Sequence, residues 1–157
     1  MDKNLIITQL KENVQNEINK VKQAYETTKN LVQNGDLKSD GKYDTRATEA
    51  NYLADGQRIR LTELEQELEL LGEVNLKNTY TTVSIGSLIE VELNSQVRKY
   101  FVSPTAGGTM VDVAGEVVLV ISVFSPIGDG ALGLNSGDEF EIEIKETSRM
   151  YKIISIN

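Results

Sequence analysis

A seam of residues between positions 47 and 71 constrains this chain more than any other feature. Ala47, Ala50, Ala54, Gln57, Leu61, Leu64, Leu68 and Leu71 follow one another at gaps that alternate between three and four. Side chains at that spacing form one stripe along an α-helix, the stripe of a coiled coil. A helix with one apolar stripe needs a partner to bury it. The partner lies upstream, where Ile7, Leu10, Val14, Ile18, Val21, Tyr25, Leu31 and Val32 recur mostly at helical spacing. This pattern predicts a helix from Leu5 to about Val32, roughly 45 Å long at the helical rise. Two such helices joined by a short loop make an antiparallel hairpin. Its seam is graded, with alanines near the loop and leucines away from it. Small residues let helices approach closely, so the hairpin should be slender at its tip and firm at its base. Gly72 marks the end of the second helix.

The loop between the helices, Asn34 to Asp44, carries Asp36, Asp40 and Asp44 interspersed with Lys38 and Lys42. Gly35 and Gly41 permit the chain to reverse there. Asp and Gly are ordinary turn residues, and Asp44 or Thr45 can cap the second helix. Three carboxylates at one tip nevertheless repel one another unless something positive meets them. Lys38, Lys42 and Arg46 either neutralise this acidic turn or offer contacts to phosphate.

Beyond the second helix the pattern changes to strands and turns. Residues 83–93 alternate like a half-buried strand, and Arg98–Val102 reads as its hairpin partner. Residues 104–108 form a turn, 116–124 a buried central strand, and 125–134 a loop with a short helix. Residues 138–145 and 150–156 complete a small, mainly antiparallel sheet. The expected class is α+β: a helical coiled-coil hairpin over 1–74 with its acidic tip at 34–44, a linker at 75–79, and a sheet domain over 80–157. Tyr100, Phe101, Phe124, Phe140 and Tyr151 are expected in the core of that domain. Gln57 is the one polar residue in the seam, where it could set register or face solvent.

Composition narrows the chemistry. There is no Cys and no His among the 157 residues, which excludes the usual zinc sites and Ser-His or Cys-His nucleophilic catalysis. Any metal here would be a hard ion with oxygen ligands, such as magnesium. The net charge of −8 argues against broad contact with nucleic-acid backbone and favours a basic protein surface as partner. No long apolar run resembles a signal peptide or a membrane span, so the expected location is cytoplasmic.

Two stretches carry a resemblance to a known family. Gly35-Asp36-Leu37, Ser39-Asp40 and Tyr43 are similar to the tip pattern of the Gre family of bacterial transcript-cleavage factors. Ser125-Pro126-Ile127, Ala131-Leu132-Gly133 and Gly137-Asp138 are similar to that family's C-terminal run. The resemblance implies an FKBP-like sheet domain that docks on bacterial RNA polymerase at the secondary channel. Ser125, Pro126 and Ile127 would touch the polymerase. The hairpin would carry Asp36 and Asp40 to the active centre, there to share a Mg2+ ion with the polymerase and assist cleavage of backtracked RNA. Lys38, Lys42 and Arg46 would face the nascent RNA 3′ end. On this reading the protein is a monomer and not an enzyme by itself, and it holds no metal alone.

The tip departs from the family pattern. Lys38 is an additional residue, Asp40 stands where the pattern has Glu, and Gly41 where it has Asn. Some homologues with altered acidic tips inhibit the polymerase, so inhibition is the first alternative. A prolyl isomerase or chaperone-like protein using the FKBP-like domain is the second; such isomerases usually place a Trp on the pocket floor, and this chain has no Trp. A coiled-coil adaptor that dimerises through the hairpin is the third.

Overall fold

The structure, a computed structural model, describes residues 1–33, 46–76 and 79–157. Two long helices come first, α1 (Lys3–Gln33) and α2 (Arg46–Gly72). Strands β1 (Leu88–Leu93), β2 (Gln96–Ser103), β3 (Met110–Val113) and β4 (Glu116–Ser122) follow. A short helix α3 (Pro126–Ala131) precedes β5 (Glu139–Ile144) and β6 (Thr147–Ile156). The chain divides into two compact units, one of residues Glu12–Glu69 and one of Met1–Lys11 with Leu70–Asn157. Because the start of α1 and the end of α2 belong to the same unit, the helices run antiparallel, as the seam predicts.

Within the helical unit the seam is confirmed position by position. Leu64 is buried, and Ala47, Ala50, Ala54, Gln57, Leu61 and Leu68 are half-buried; Glu67 is the single other α2 residue of the unit withdrawn from solvent. On α1, Val14 and Ile18 are buried and Val21 and Tyr25 half-buried, as expected. The next seam position is Thr28, only 7% exposed, and not Leu31, which is exposed. The run 14–18–21–25–28 keeps the alternation of four and three, which calls for position 32 next and leaves Leu31 one residue, about 100° of helix rotation, off the stripe. Thr28 lies buried at no polar cost because its Oγ1 donates to the Ala24 carbonyl, 2.9 Å away. Gln57 does sit in the seam: its Oε1 is buried and has no hydrogen-bond partner among the described residues.

In the second unit six strands form one sheet in the order β3-β4-β2-β1-β6-β5, with β2–β4 its one parallel pairing. The β1–β2 hairpin closes through Asn94 and Ser95, both at positive φ, and β3–β4 through Ala114 and Gly115, likewise. Paired left-handed residues match the twist of the strands they join. The first strand is shorter than the alternation predicts. Residues 84–87 form a turn in which Ser87 Oγ donates to the Ser84 carbonyl, 2.7 Å away. Expected as central and buried, β4 is flanked by β3 and β2, yet Glu116 and Val117 are exposed and its burial begins at Val118. Strand β3 has no counterpart in the sequence reading; its four residues, Met-Val-Asp-Val, are too few for alternation to register.

Both faces of the sheet are covered. Under α3 lie Ile89, Val91, Tyr100, Val102, Phe140, Tyr151 and Ile153. The rings of Phe140 and Tyr151 stack with centroids 5.2 Å apart. Tyr100 is buried there as well, and desolvation raises its hydroxyl pKa. The alternate residues, Phe101, Val111, Val113, Val118 and Val120, are buried on the other face. The same unit holds the first turns of α1, whose Ile6, Ile7 and Leu10 are buried and whose Gln9 Nε2 donates to the Asp112 carbonyl at 2.9 Å. These turns supply the cover for that face. Lys3 places its ammonium 4.7 Å from the centre of the Tyr80 ring, and the Tyr80 hydroxyl donates to the Asn75 carbonyl. Burial lowers the Lys3 pKa.

Candidate partner-binding site

The chain leaves β4 at Ser122 and turns sharply into α3. Ser125 is the N-cap: its Oγ accepts from Gly128 N at 3.1 Å and donates to the Ser122 carbonyl at 2.7 Å. Pro126 follows at the first helical position, where its missing N–H costs nothing. Phe124 N is held by Ser122 Oγ at 3.2 Å. The turn is tight because position 128 has no side chain; a Cβ there would lie 1.9 Å from the Ser122 carbonyl oxygen. Every hydrogen-bonding group of Ser125 is thus engaged in shaping the loop. What the loop presents outward is apolar.

Phe124 is 85% exposed, which corrects its expected place in the core. The strand ends two residues earlier than its apolar run suggests, so the alternation that would turn Phe124 inward no longer applies. A Phe directly ahead of a Ser-Pro cap is a loop residue, and that signal was available in the sequence. Pro126 is exposed beside it and Ile127 half-buried. Together with Leu119, Ile121 and Ile144 these side chains line a cleft of about 560 Å³. Its lining includes no ionisable residue, so the cleft can bind an apolar group but has no acid or base to offer. The stacked Phe140 and Tyr151 do not reach it. They fill the space under α3, where a Cβ on Gly130 would already meet Phe140 Cδ2 at 3.0 Å. Rings spent in this way do not form the aromatic-walled pocket a prolyl isomerase uses.

Of the other candidates, Ser125, Pro126 and Ile127 are brought together at the cleft. Arg46 opens α2 with an exposed side chain. Asp36, Lys38, Asp40 and Lys42, with the capping candidates Asp44 and Thr45, lie outside the described residues. Among the described residues no cluster of carboxylates could hold a metal ion, and no helix is long and apolar enough to cross a membrane.

The chain is similar to known proteins over most of its length. Residues 77–157 match the family described as transcription elongation factor, GreA/GreB, C-terminal. The chain is 27% identical over 159 residues to the transcription elongation factor GreA of Lachnoclostridium phytofermentans, covering 96% of this chain and 90% of that protein. It is 26% identical over 141 residues to the GreA of Clostridium botulinum, covering 88% and 82%. Among solved structures, the GreA factor homolog 1 (Gfh1) of Thermus thermophilus is 18% identical, with 94% of each chain covered and a TM-score of 0.39. The family match spans more than half of the chain, and the protein belongs to the GreA/GreB family of transcription elongation factors.

Proposed function

We propose that this protein binds bacterial RNA polymerase at its secondary channel and stimulates cleavage of backtracked RNA through its acidic hairpin tip. The observation that carries the reading is the rim formed by Phe124, Pro126 and Ile127, an exposed apolar surface built on a capped turn within the family's C-terminal domain. A large exposed aromatic beside an apolar cleft is the kind of anchor on which protein interfaces concentrate their binding energy.

The sheet domain holds the polymerase, and the hairpin delivers Asp36 and Asp40 to its active centre. Carboxylate oxygens are the hard donors that magnesium takes, so these two residues would share a Mg2+ ion with the polymerase. When bound, that ion stabilises charge developing on the phosphate. Lys38, Lys42 and Arg46 face the phosphates of the RNA 3′ end. The catalytic centre is the polymerase's own, and this protein is not itself the enzyme. It acts as a monomer in the cytoplasm, since each helix of the hairpin already covers the seam of the other.

The test is RNA cleavage in stalled, backtracked complexes. The wild-type protein is expected to shorten the RNA 3′ end, and Asp40→Ala to lose most of that stimulation, roughly a hundredfold for a misplaced or missing ligand. Absence of stimulation at every magnesium concentration would sink the reading. The departures at the tip, Lys38 inserted and Asp40 one methylene shorter than Glu, favour one second reading: the same docking with inhibition as the outcome. Slowed nucleotide addition without cleavage identifies it.

A further inference from the structure

The sheet ends in two unlike edges. At one edge the Asp112 carbonyl of β3 is capped by the side chain of Gln9, 2.9 Å away. At the other, β5 pairs with β6 alone. Ile153 N donates to the Asp138 carbonyl at 2.9 Å, and this bond sets the phase of the β5–β6 ladder. Backbone groups alternate in direction along an antiparallel strand, so Phe140, Ile142 and Ile144 bond to β6. Glu139, Glu141 and Glu143 therefore turn their N–H and C=O groups outward, and among the described residues no backbone partner meets them. An open row of this kind is a template on which another extended chain can add.

Charge selects the occupant. The side chains of Glu139, Glu141 and Glu143 are exposed on the sheet face opposite α3. A strand added to β5 would set its own side chains about 5 Å from these carboxylates. Lys152 lies in register with Glu139, yet no carboxylate of the described residues is within ion-pair distance of it. A second copy of β5 would bring glutamate against glutamate, and an apolar strand would strip water from the carboxylates without replacing it. We propose that the β5 edge takes an extended segment of a partner protein with Lys or Arg at every second residue. Its cations face Glu139, Glu141 and Glu143. The residues between them lie on the α3 side, where Ile144 is 45% exposed and offers apolar contact. The contact uses the strand's edge and not the Phe124 loop, so it stands or falls apart from the polymerase reading.

Fluorescence anisotropy of a labelled Lys-Val-Lys-Val-Lys-Val peptide, capped at both ends and titrated with the full-length protein, tests this. In antiparallel addition the lysines are the residues whose N–H groups meet β5. N-methylation of the lysine amides should therefore weaken binding roughly tenfold, and N-methylation of the valine amides should leave it near the parent. Glu139→Gln/Glu143→Gln should also weaken it about tenfold and flatten its salt dependence. Glu143→Pro removes an outward N–H and no bond to β6, so its thermal unfolding should stay close to the parent's. It should bind roughly threefold more weakly than Glu143→Gln, which loses the same charge. If neither N-methylated peptide binds more weakly than the parent peptide, the contact is charge alone and the inference is overturned. It is overturned as well if the parent peptide fails to bind, or if Glu139→Gln/Glu143→Gln binds within about twofold of the wild type.

Discussion

A methyl group added at Gly128 would lie 1.9 Å from the Ser122 carbonyl oxygen, a backbone atom that cannot step aside without undoing the turn into α3. Gly128→Ala should therefore cost roughly 2–3 kcal/mol in urea unfolding, and it should weaken polymerase binding by moving Phe124. Gly56 is the opposite case. It lies inside α2 with nothing within 4 Å of its virtual Cβ. Gly56→Ala should stabilise the protein by about 0.8 kcal/mol through helix propensity alone. Lys99 shows what single charges contribute. Its hydrogen bond to Glu116 raises its pKa, burial opposes that, and the fields of Glu116 and Glu90 add to the rise. A raised pKa on a base contributes stability that is fully present below the ordinary value of 10.5 and is lost as pH rises through the raised value. Lys99→Met should cost about 0.5 kcal/mol, as a surface pair does. That deficit should stay constant from pH 6 to 9 and close in strong alkali, as paired denaturation curves at each pH would reveal.

At the scale of elements, legibility followed the length of the repeat. The α2 stripe runs through eight positions, long enough for spacing alone to locate a buried face without any tertiary information. The apolar spacing of α1 misplaces only the end of the stripe, where it takes Leu31 although the geometry favours polar Thr28. Polarity misleads there because a helical Thr can satisfy its hydroxyl on its own backbone. Short elements were less legible. β3 has four residues, and hydropathy alone does not distinguish the end of β4 at Ser122 from two further apolar residues, Val123 and Phe124, although the Ser125-Pro126 pair just beyond them marks a helix cap. That boundary is set by the Ser125 cap and by Gly128, contacts formed only once the loop closes. The candidate site is half legible for the same reason: the Ser-Pro motif points to the loop, while its main exposed side chain, Phe124, reads from the sequence as core. Gln57 interrupts the seam with a buried amide oxygen that has no hydrogen-bond partner among the described residues. Gln57→Leu should stabilise the protein by about 1 kcal/mol in chemical denaturation, by removing a desolvated acceptor.

For the whole molecule, the proposed function divides the work: the sheet domain would hold the polymerase and the hairpin tip would act on it. Sedimentation should show a monomer, because each helix covers the seam of the other within one chain; a stable dimer would favour an adaptor. The division itself is tested most directly by titrating the protein into backtracked RNA polymerase complexes and following RNA cleavage against concentration. The wild type should give a saturable rate. Asp40→Ala should lower the plateau with little change in the midpoint, and Phe124→Ser should raise the midpoint while leaving the plateau reachable. No acceleration by the wild type, or both variants changing the same parameter, would contradict it.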